Sequence, residues 1–235
     1  MKKTGIRAGG SRTAWEDMTA ALEKWREALR AEKSGAGNPS VTTVAERYSR
    51  SPWAVLVSTI LSLRTKDEVT LAASRRLLEK APGPRELLAL TEEEIARLAY
   101  PAGFYRTKAA NLRKIAWLLV EKYGGSVPAG MDMLLALPGV GRKTANLVLV
   151  EAFDLPGLCV DVHVHRISNR AGWVETSSPD ETEAVLRNIL PPQYWKNINP
   201  LLVLYGQNVC RPVSPFCSRC VITGHCLRRG VEKSR

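Results

Sequence analysis

Four cysteines crowd into 17 residues near the end of this 235-residue chain: Cys210, six residues, Cys217, two residues, Cys220, five residues, Cys226. Pro212, Pro215 and Gly224 interrupt any helix there, so the segment needs something other than regular secondary structure to order it. Four thiolates can close around one metal centre, and soft sulfur ligands suit zinc or iron–sulfur. The six-residue first gap is less usual for a zinc finger, and disulfides fit a reducing compartment least well. The fifth cysteine, Cys159, lies between Leu158 and Val160 and reads as a small core residue.

Charge sets the class of partner. Lys and Arg outnumber Asp and Glu 34 to 23, a formal +11, and the pI is 9.7. A polyanion, most simply nucleic acid, is the expected partner. Met1-Lys2-Lys3 opens like an export signal, but Thr4-Gly5-Ile6-Arg7-Ala8-Gly9-Gly10 supplies no apolar core. The longest apolar stretch, Trp53 to Leu63, is too short for a bilayer and contains Ser58, Thr59 and Ser62. These features predict an intracellular protein with no membrane contact, in the cytoplasm or nucleoid if the source is prokaryotic. Hydrophobic content of 45% provides for a packed core.

The hydrophobic spacing is helical throughout. Residues 1–12 read as a disordered basic tail. Thr13 with Glu16 forms a capping box that opens a helix with Trp15, Met18, Leu22, Trp25 and Leu29 on one face. Ser34 to Pro39 reads as a linker. Ser51-Pro52 marks the start of the next helix, Thr65 with Glu68 a further start, Pro82-Gly83-Pro84 a turn, and Thr91 with Glu94 a second capping box. Residues 106–123 make a long amphipathic helix stopped by Gly124-Gly125. Helices follow at 130–136, 142–153, 162–171, 179–190 and 194–208. With no strand alternation, the class is all-α with roughly ten helices.

Two segments carry chemistry. Leu137-Pro138-Gly139-Val140-Gly141-Arg142-Lys143 joins two helices. Glycines at 139 and 141 permit a tight turn whose amides, with the following helix N-terminus, form a nest for a phosphate oxygen. This helix–hairpin–helix pattern grips a nucleic-acid backbone without reading bases. Lys143 falls on the first turn of the second helix, where an ammonium ion is disfavoured, so its amine is either a phosphate contact or a nucleophile. Asp161 stands alone in the apolar run Leu158–Val162, just before a helix, as a cap or a catalytic carboxylate.

Leu137–Asn146, Val160-Asp161-Val162-His163, Leu61–Asp67, Gly103–Ala109 and the cysteine loop occur in one order over about residues 45–226. In this the chain resembles the endonuclease III family of DNA glycosylases. The resemblance implies a two-lobed helix–hairpin–helix glycosylase fold and a C-terminal [4Fe–4S] loop on Cys210, Cys217, Cys220 and Cys226. A central lobe would cover residues 45–156. Residues 13–44 with 157–235 would make the other, including the loop at 210–226. It further implies a bifunctional glycosylase/AP lyase that removes oxidised pyrimidines. Lys143 would be the Schiff-base nucleophile and Asp161 the catalytic aspartate. The partner would be double-stranded DNA carrying damaged bases or abasic sites, bound by a monomer. Leu137, Gly139, Val140, Gly141, Arg142, His163 and Arg211 are the implied backbone contacts. A mismatch-directed glycosylase, or a silent DNA-binding or redox-sensing scaffold, is the alternative.

The chain departs from the family pattern at two loops that fill the gap left by an extruded base. Arg64 stands where glutamine is common, and Phe104 where leucine is common. Arg64 could hydrogen-bond the orphaned base and Phe104 could wedge or stack. Arg166 and Arg170, one turn apart, read as ion-pair or phosphate-contact residues.

Overall fold

The computed structural model describes residues 12–32 and 39–235, with side chains from Ala14 onward. The basic tail, the Thr13 side chain of the first capping box and most of the Ser34–Pro39 linker lie outside the described residues. Twelve α-helices run in order: α1 (Arg12–Glu32), α2 (Ser40–Arg47), α3 (Pro52–Ser62), α4 (Asp67–Lys80), α5 (Pro84–Leu88), α6 (Glu92–Ala99), α7 (Tyr105–Tyr123), α8 (Met131–Leu135), α9 (Arg142–Phe153), α10 (Val162–Ala171), α11 (Pro179–Ile189) and α12 (Trp195–Asn208). Single 3₁₀ turns occur at Pro192–Tyr194, Cys217–Arg219 and Thr223–His225. Among the described residues there is no strand, and no helix is long and apolar enough to cross a membrane.

The chain divides into two compact units. The first, Asn38–Gly157, holds α2 to α9; the second joins α1 to Leu158–Arg235. The first unit is built around α3. Every residue from Trp53 to Leu61 is buried, as an all-round apolar helix requires. Its two interior hydroxyls are satisfied locally, since Ser58 and Thr59 both donate to the Val55 carbonyl, at 3.0 and 2.7 Å. The Trp53 indole donates to the Ala81 carbonyl at 3.2 Å. α2, α4, α7 and α9 all pack on α3. α2 packs on α3 and α4 as well as α9, so residues 38–44 belong to this unit rather than to the N-terminal helix.

The second unit packs α1 and α10 against α12. Trp15, Met18 and Leu22 are fully buried on α1 as the spacing predicts. Trp15 meets Trp173 edge-on at 5.3 Å, and Trp25 meets Tyr205 at 4.7 Å. Cys159 is a buried core residue, as read from its neighbours.

Local signals held where they were strong. Ser51 accepts from the Ala54 amide at the start of α3, and Thr91 with Glu94 forms a complete capping box. That box holds the Glu94 carboxyl below its ordinary range through the hydrogen bonds from Thr91. Gly124 ends α7 in the left-handed conformation. Thr65 does not cap the next helix: α4 starts at Asp67 with Lys66 before it and no side-chain cap. The Thr65 hydroxyl is engaged elsewhere. α2 and α5 escaped the sequence reading because neither is long enough to show a helical period.

Leu112, fully buried on α7, should cost about 2–5 kcal/mol when replaced by alanine. Thr91→Ala removes a cap and should cost about 1 kcal/mol. The shift in urea midpoint at constant slope measures both.

Candidate active site and metal centre

The hairpin between α8 and α9 is anchored from inside. Leu137 and Val140 are only 2% and 6% exposed, and the Val140 amide donates to the Leu137 carbonyl at 3.1 Å. Their side chains therefore serve the core, and only their backbone groups remain for a ligand. Gly139 has φ +76°, and a Cβ there would stand 2.6 Å from Asn111 Nδ2, so the turn requires glycine. Gly141 differs from the sequence reading. Its φ of −95° is open to any residue, and it begins α9 with no capping side chain. A Cβ on Gly141 would meet nothing within 4 Å, so its contribution is an unobstructed approach to the helix N-terminus. Gly139, Gly141 and Arg142 are exposed.

Lys143 is the second residue of α9, half-buried between exposed Arg142 and buried Thr144. The turn beneath it is fixed. The Ala145 amide donates to the Gly141 carbonyl at 2.9 Å, and the fully buried Asn146 side chain donates to the Arg142 carbonyl at 3.1 Å. The lysine thus rises from a rigid first turn at the positive end of a helix dipole.

Asp161 caps α10. Its Oδ1 accepts the His163 amide at 2.9 Å and the Val164 amide at 3.0 Å, and the residue is 8% exposed. Two backbone hydrogen bonds fix the carboxylate at a helix N-terminus. His163, half-buried, accepts at Nδ1 from Arg166 Nη2 at 3.1 Å. Only acceptance is open to that nitrogen, because guanidinium has no lone pair to offer.

Arg64 and Phe104, read from separate segments, meet. The Arg64 guanidinium stands 5.5 Å from the Phe104 ring. Both are exposed, Phe104 by 62%, and both have positive φ, 53° and 57°. Behind them lies Lys108, part of the Gly103–Ala109 segment. It is 5% exposed, and its ammonium donates to the Leu61 carbonyl at 2.7 Å, the Leu63 carbonyl at 2.6 Å and the Thr65 hydroxyl at 2.9 Å. Burial pushes it down to about 8; the three oxygen acceptors favour the charged form, so it is protonated at neutral pH.

Arg166 and Arg170 turn toward backbone carbonyls, and the Asp161 carboxylate also favours the charged form of Arg166. Arg166 donates to the carbonyls of Gly206 and Cys210, at 3.2 and 3.0 Å. Burial lowers its pKa, an effect the Cys210 thiol opposes. Arg170 donates to Cys210 Sγ at 3.3 Å and to the Arg211 and Pro212 carbonyls at 2.8 and 3.0 Å. The two arginines tie the exit of α12 and the start of the cysteine loop to α10. Carbonyls beyond a helix end need donors, a demand that a charge count does not show.

All four loop cysteines line one small apolar cavity with Ile167, Tyr205, Val209 and Phe216. Among the described residues, no three His, Cys, Asp or Glu side chains converge on a position for a single ion. Burial pushes the Cys220 and Cys226 thiols up. The Arg228 amide donates to Cys226 Sγ at 3.4 Å, as the Arg170 guanidinium does to Cys210. Arg211 is exposed, with Nε donating to the Gln207 carbonyl at 3.2 Å. Its guanidinium shares the Phe216 ring with those of Arg219 and Arg235, at 5.4, 4.5 and 4.9 Å. Three cations on one ring make this loop a concentrated positive patch.

This helix–hairpin–helix protein is a base excision DNA repair protein of the HhH-GPD superfamily, whose family model matches residues 57–192. Within it, the chain is 47% identical over 200 residues to endonuclease III of Thermotoga maritima, covering 82% of this chain and 94% of that one. It belongs to the endonuclease III family. A non-covalent endonuclease III–DNA complex and a trapped endonuclease III–DNA covalent intermediate both match at TM-score 0.75 and 31% identity, over 91% of this chain and 95% and 96% of those chains. Against the chloroplastic endonuclease III homologues of Arabidopsis thaliana, the chain spans about half their length. Proteins of this family are generally iron–sulfur proteins.

Replacing Arg170 with methionine should free the carbonyls it holds. Amide hydrogen exchange across residues 210–216 should then rise by about tenfold, the equivalent of one or more lost charged hydrogen bonds.

Proposed function

We propose that this chain, a base excision repair DNA glycosylase/AP lyase by its family, acts on oxidised pyrimidines through an imine formed on Lys143. The observation that carries this reading is the placement of Lys143: a half-buried residue on the rigid first turn of α9, two residues beyond the open Gly139–Gly141 hairpin. The hairpin amides and Arg142 would hold a phosphate of duplex DNA. The Lys143 amine would then attack the sugar C1′, the damaged base would leave, and the resulting imine would acidify the C2′ proton. Loss of that proton expels the 3′ phosphate by β-elimination. Asp161 would supply a negative charge suited to an oxocarbenium-like sugar.

The cysteine loop suits a [4Fe–4S] cluster held by Cys210, Cys217, Cys220 and Cys226. A zinc ion needs its thiolates about 2.3 Å from one point. In a cluster each thiolate would meet its own iron, and the four cysteines that line one cavity could supply all four. When bound, the cluster would serve structure or redox sensing. This chain's residues would order it: burial protects the sulfurs, and the Arg170 and Arg228 N–H groups stabilise their negative charge.

Lys143→Gln should bind duplex DNA yet lose base release and strand cleavage on thymine glycol; full cleavage by the variant would reject the lysine. G·T or A·8-oxoguanine duplexes processed in preference to thymine glycol would instead mark a mismatch-directed enzyme. Asp161→Asn keeps an oxygen for the cap and removes the charge. Its single-turnover rate should fall by about 10²–10³-fold with little change in binding, and an unaltered rate would remove the aspartate from the chemistry. Purified protein should contain about four iron and four acid-labile sulfide per chain, where zinc alone would contradict the cluster.

A further inference from the structure

The Lys108 ammonium has three N–H donors, and all three are spent on one stretch of chain: Leu61 O, Leu63 O and Thr65 Oγ1. Leu61 and Leu63 stand at the C-terminal end of α3, where a helix leaves carbonyls without partners and its dipole is negative. A buried cation there answers both demands. Thr65 passes the connection on. Its hydroxyl accepts the Gly103 amide at 3.1 Å, joining the segment after α3 to the segment before α7. The approach is close: a Cβ on Gly103 would lie 2.5 Å from the Arg64 carbonyl oxygen. The residues left facing outward from this knot are Arg64 and Phe104, each in the left-handed region and in contact through guanidinium and ring. Non-glycine residues hold such dihedrals only where the surroundings over-determine them, and Lys108 with Thr65 is the surrounding polar structure that does so.

We propose that Lys108 is a positioning residue that locks the two loops into one rigid wedge, so that Arg64 and Phe104 enter the DNA stack as a pair. This rests on the reading of the chain as a base-extruding glycosylase, because a wedge has work only where a base leaves the stack. The lock explains why an arginine and a phenylalanine can share this task. Either side chain alone is mobile, whereas a common base fixes both before DNA arrives and reduces the ordering cost of insertion.

The test uses the full-length protein and a duplex with 2-aminopurine opposite a stable abasic-site analogue, a base whose fluorescence rises as it loses its stacking partner. Lys108→Met, Thr65→Val and Phe104→Ala are compared with the wild type. All three variants should slow the fluorescence rise by about tenfold or more, while Lys108→Met and Thr65→Val keep borohydride trapping on a single-stranded abasic oligonucleotide within about twofold of wild type. If Phe104→Ala leaves the rise unaltered, the wedge reading itself fails and the proposal with it. If Phe104→Ala slows the rise and folded Lys108→Met and Thr65→Val do not, the proposal alone fails. Equal losses on duplex and single strand would also overturn it, since Lys108 would then act only through general stability. Should Lys108→Met not fold, Thr65→Val, which removes one hydroxyl and leaves both carbonyl bonds of the lysine in place, decides the matter.

Discussion

A helix cannot satisfy the backbone groups at its own ends, and in this all-helical chain that constraint decides where chemistry can reside. Five of the candidate functional residues stand at or next to such an end. Arg64 follows α3, Phe104 precedes α7, Lys143 rides the first turn of α9, Asp161 caps α10, and Cys210 follows α12. The unsatisfied groups are met by donors and acceptors that also fix the functional side chain. Asp161 accepts two amides, Lys108 donates to two carbonyls behind Arg64, and Arg166 and Arg170 donate to the carbonyls that lead into the cysteine loop. Gly141 begins α9 with no side-chain cap, and the space over it is open, with nothing within 4 Å of where a Cβ would stand. That helix end is the one a nucleic-acid phosphate would complete.

Positive charge is divided between two jobs. Lys108, Arg166 and Arg170 are turned inward and spent on backbone oxygens, so part of the chain's excess charge is structural. Arg142 and Arg211 remain exposed, and Arg211, Arg219 and Arg235 gather on Phe216. A net charge of +11 therefore overstates the number of cations available to DNA, and phosphate contacts should concentrate at the hairpin and the cysteine loop.

Much of this was legible in the sequence, for identifiable reasons. Long amphipathic segments such as α1 and α7 repeat the 3.6-residue period often enough to be read, and short motifs with fixed geometry, such as Thr91 with Glu94 or Ser51-Pro52, dictate their own caps. The roles of Lys108, Arg166 and Arg170 were not legible. Their partners are carbonyls 40 or more residues distant, and a backbone oxygen leaves no trace in residue identity. Thr65 was misread for the same reason: a threonine three residues before a glutamate matches a capping box, yet its hydroxyl joins Gly103 and Lys108. Gly141 was assigned an unusual backbone because it resembles Gly139, while only Gly139 has positive φ. The meeting of Arg64 with Phe104 required the fold, since 40 residues separate them in sequence.

The Lys143 amine is the proposed atom that joins DNA. Borohydride reduction of the protein on a duplex containing an abasic site, followed by proteolysis and mass mapping of the adduct, tests that claim most directly. The reduced sugar should be found on Lys143 and on no other amine. A covalent adduct mapped to a different lysine, or a protein that cuts the strand with no trappable adduct, would contradict it.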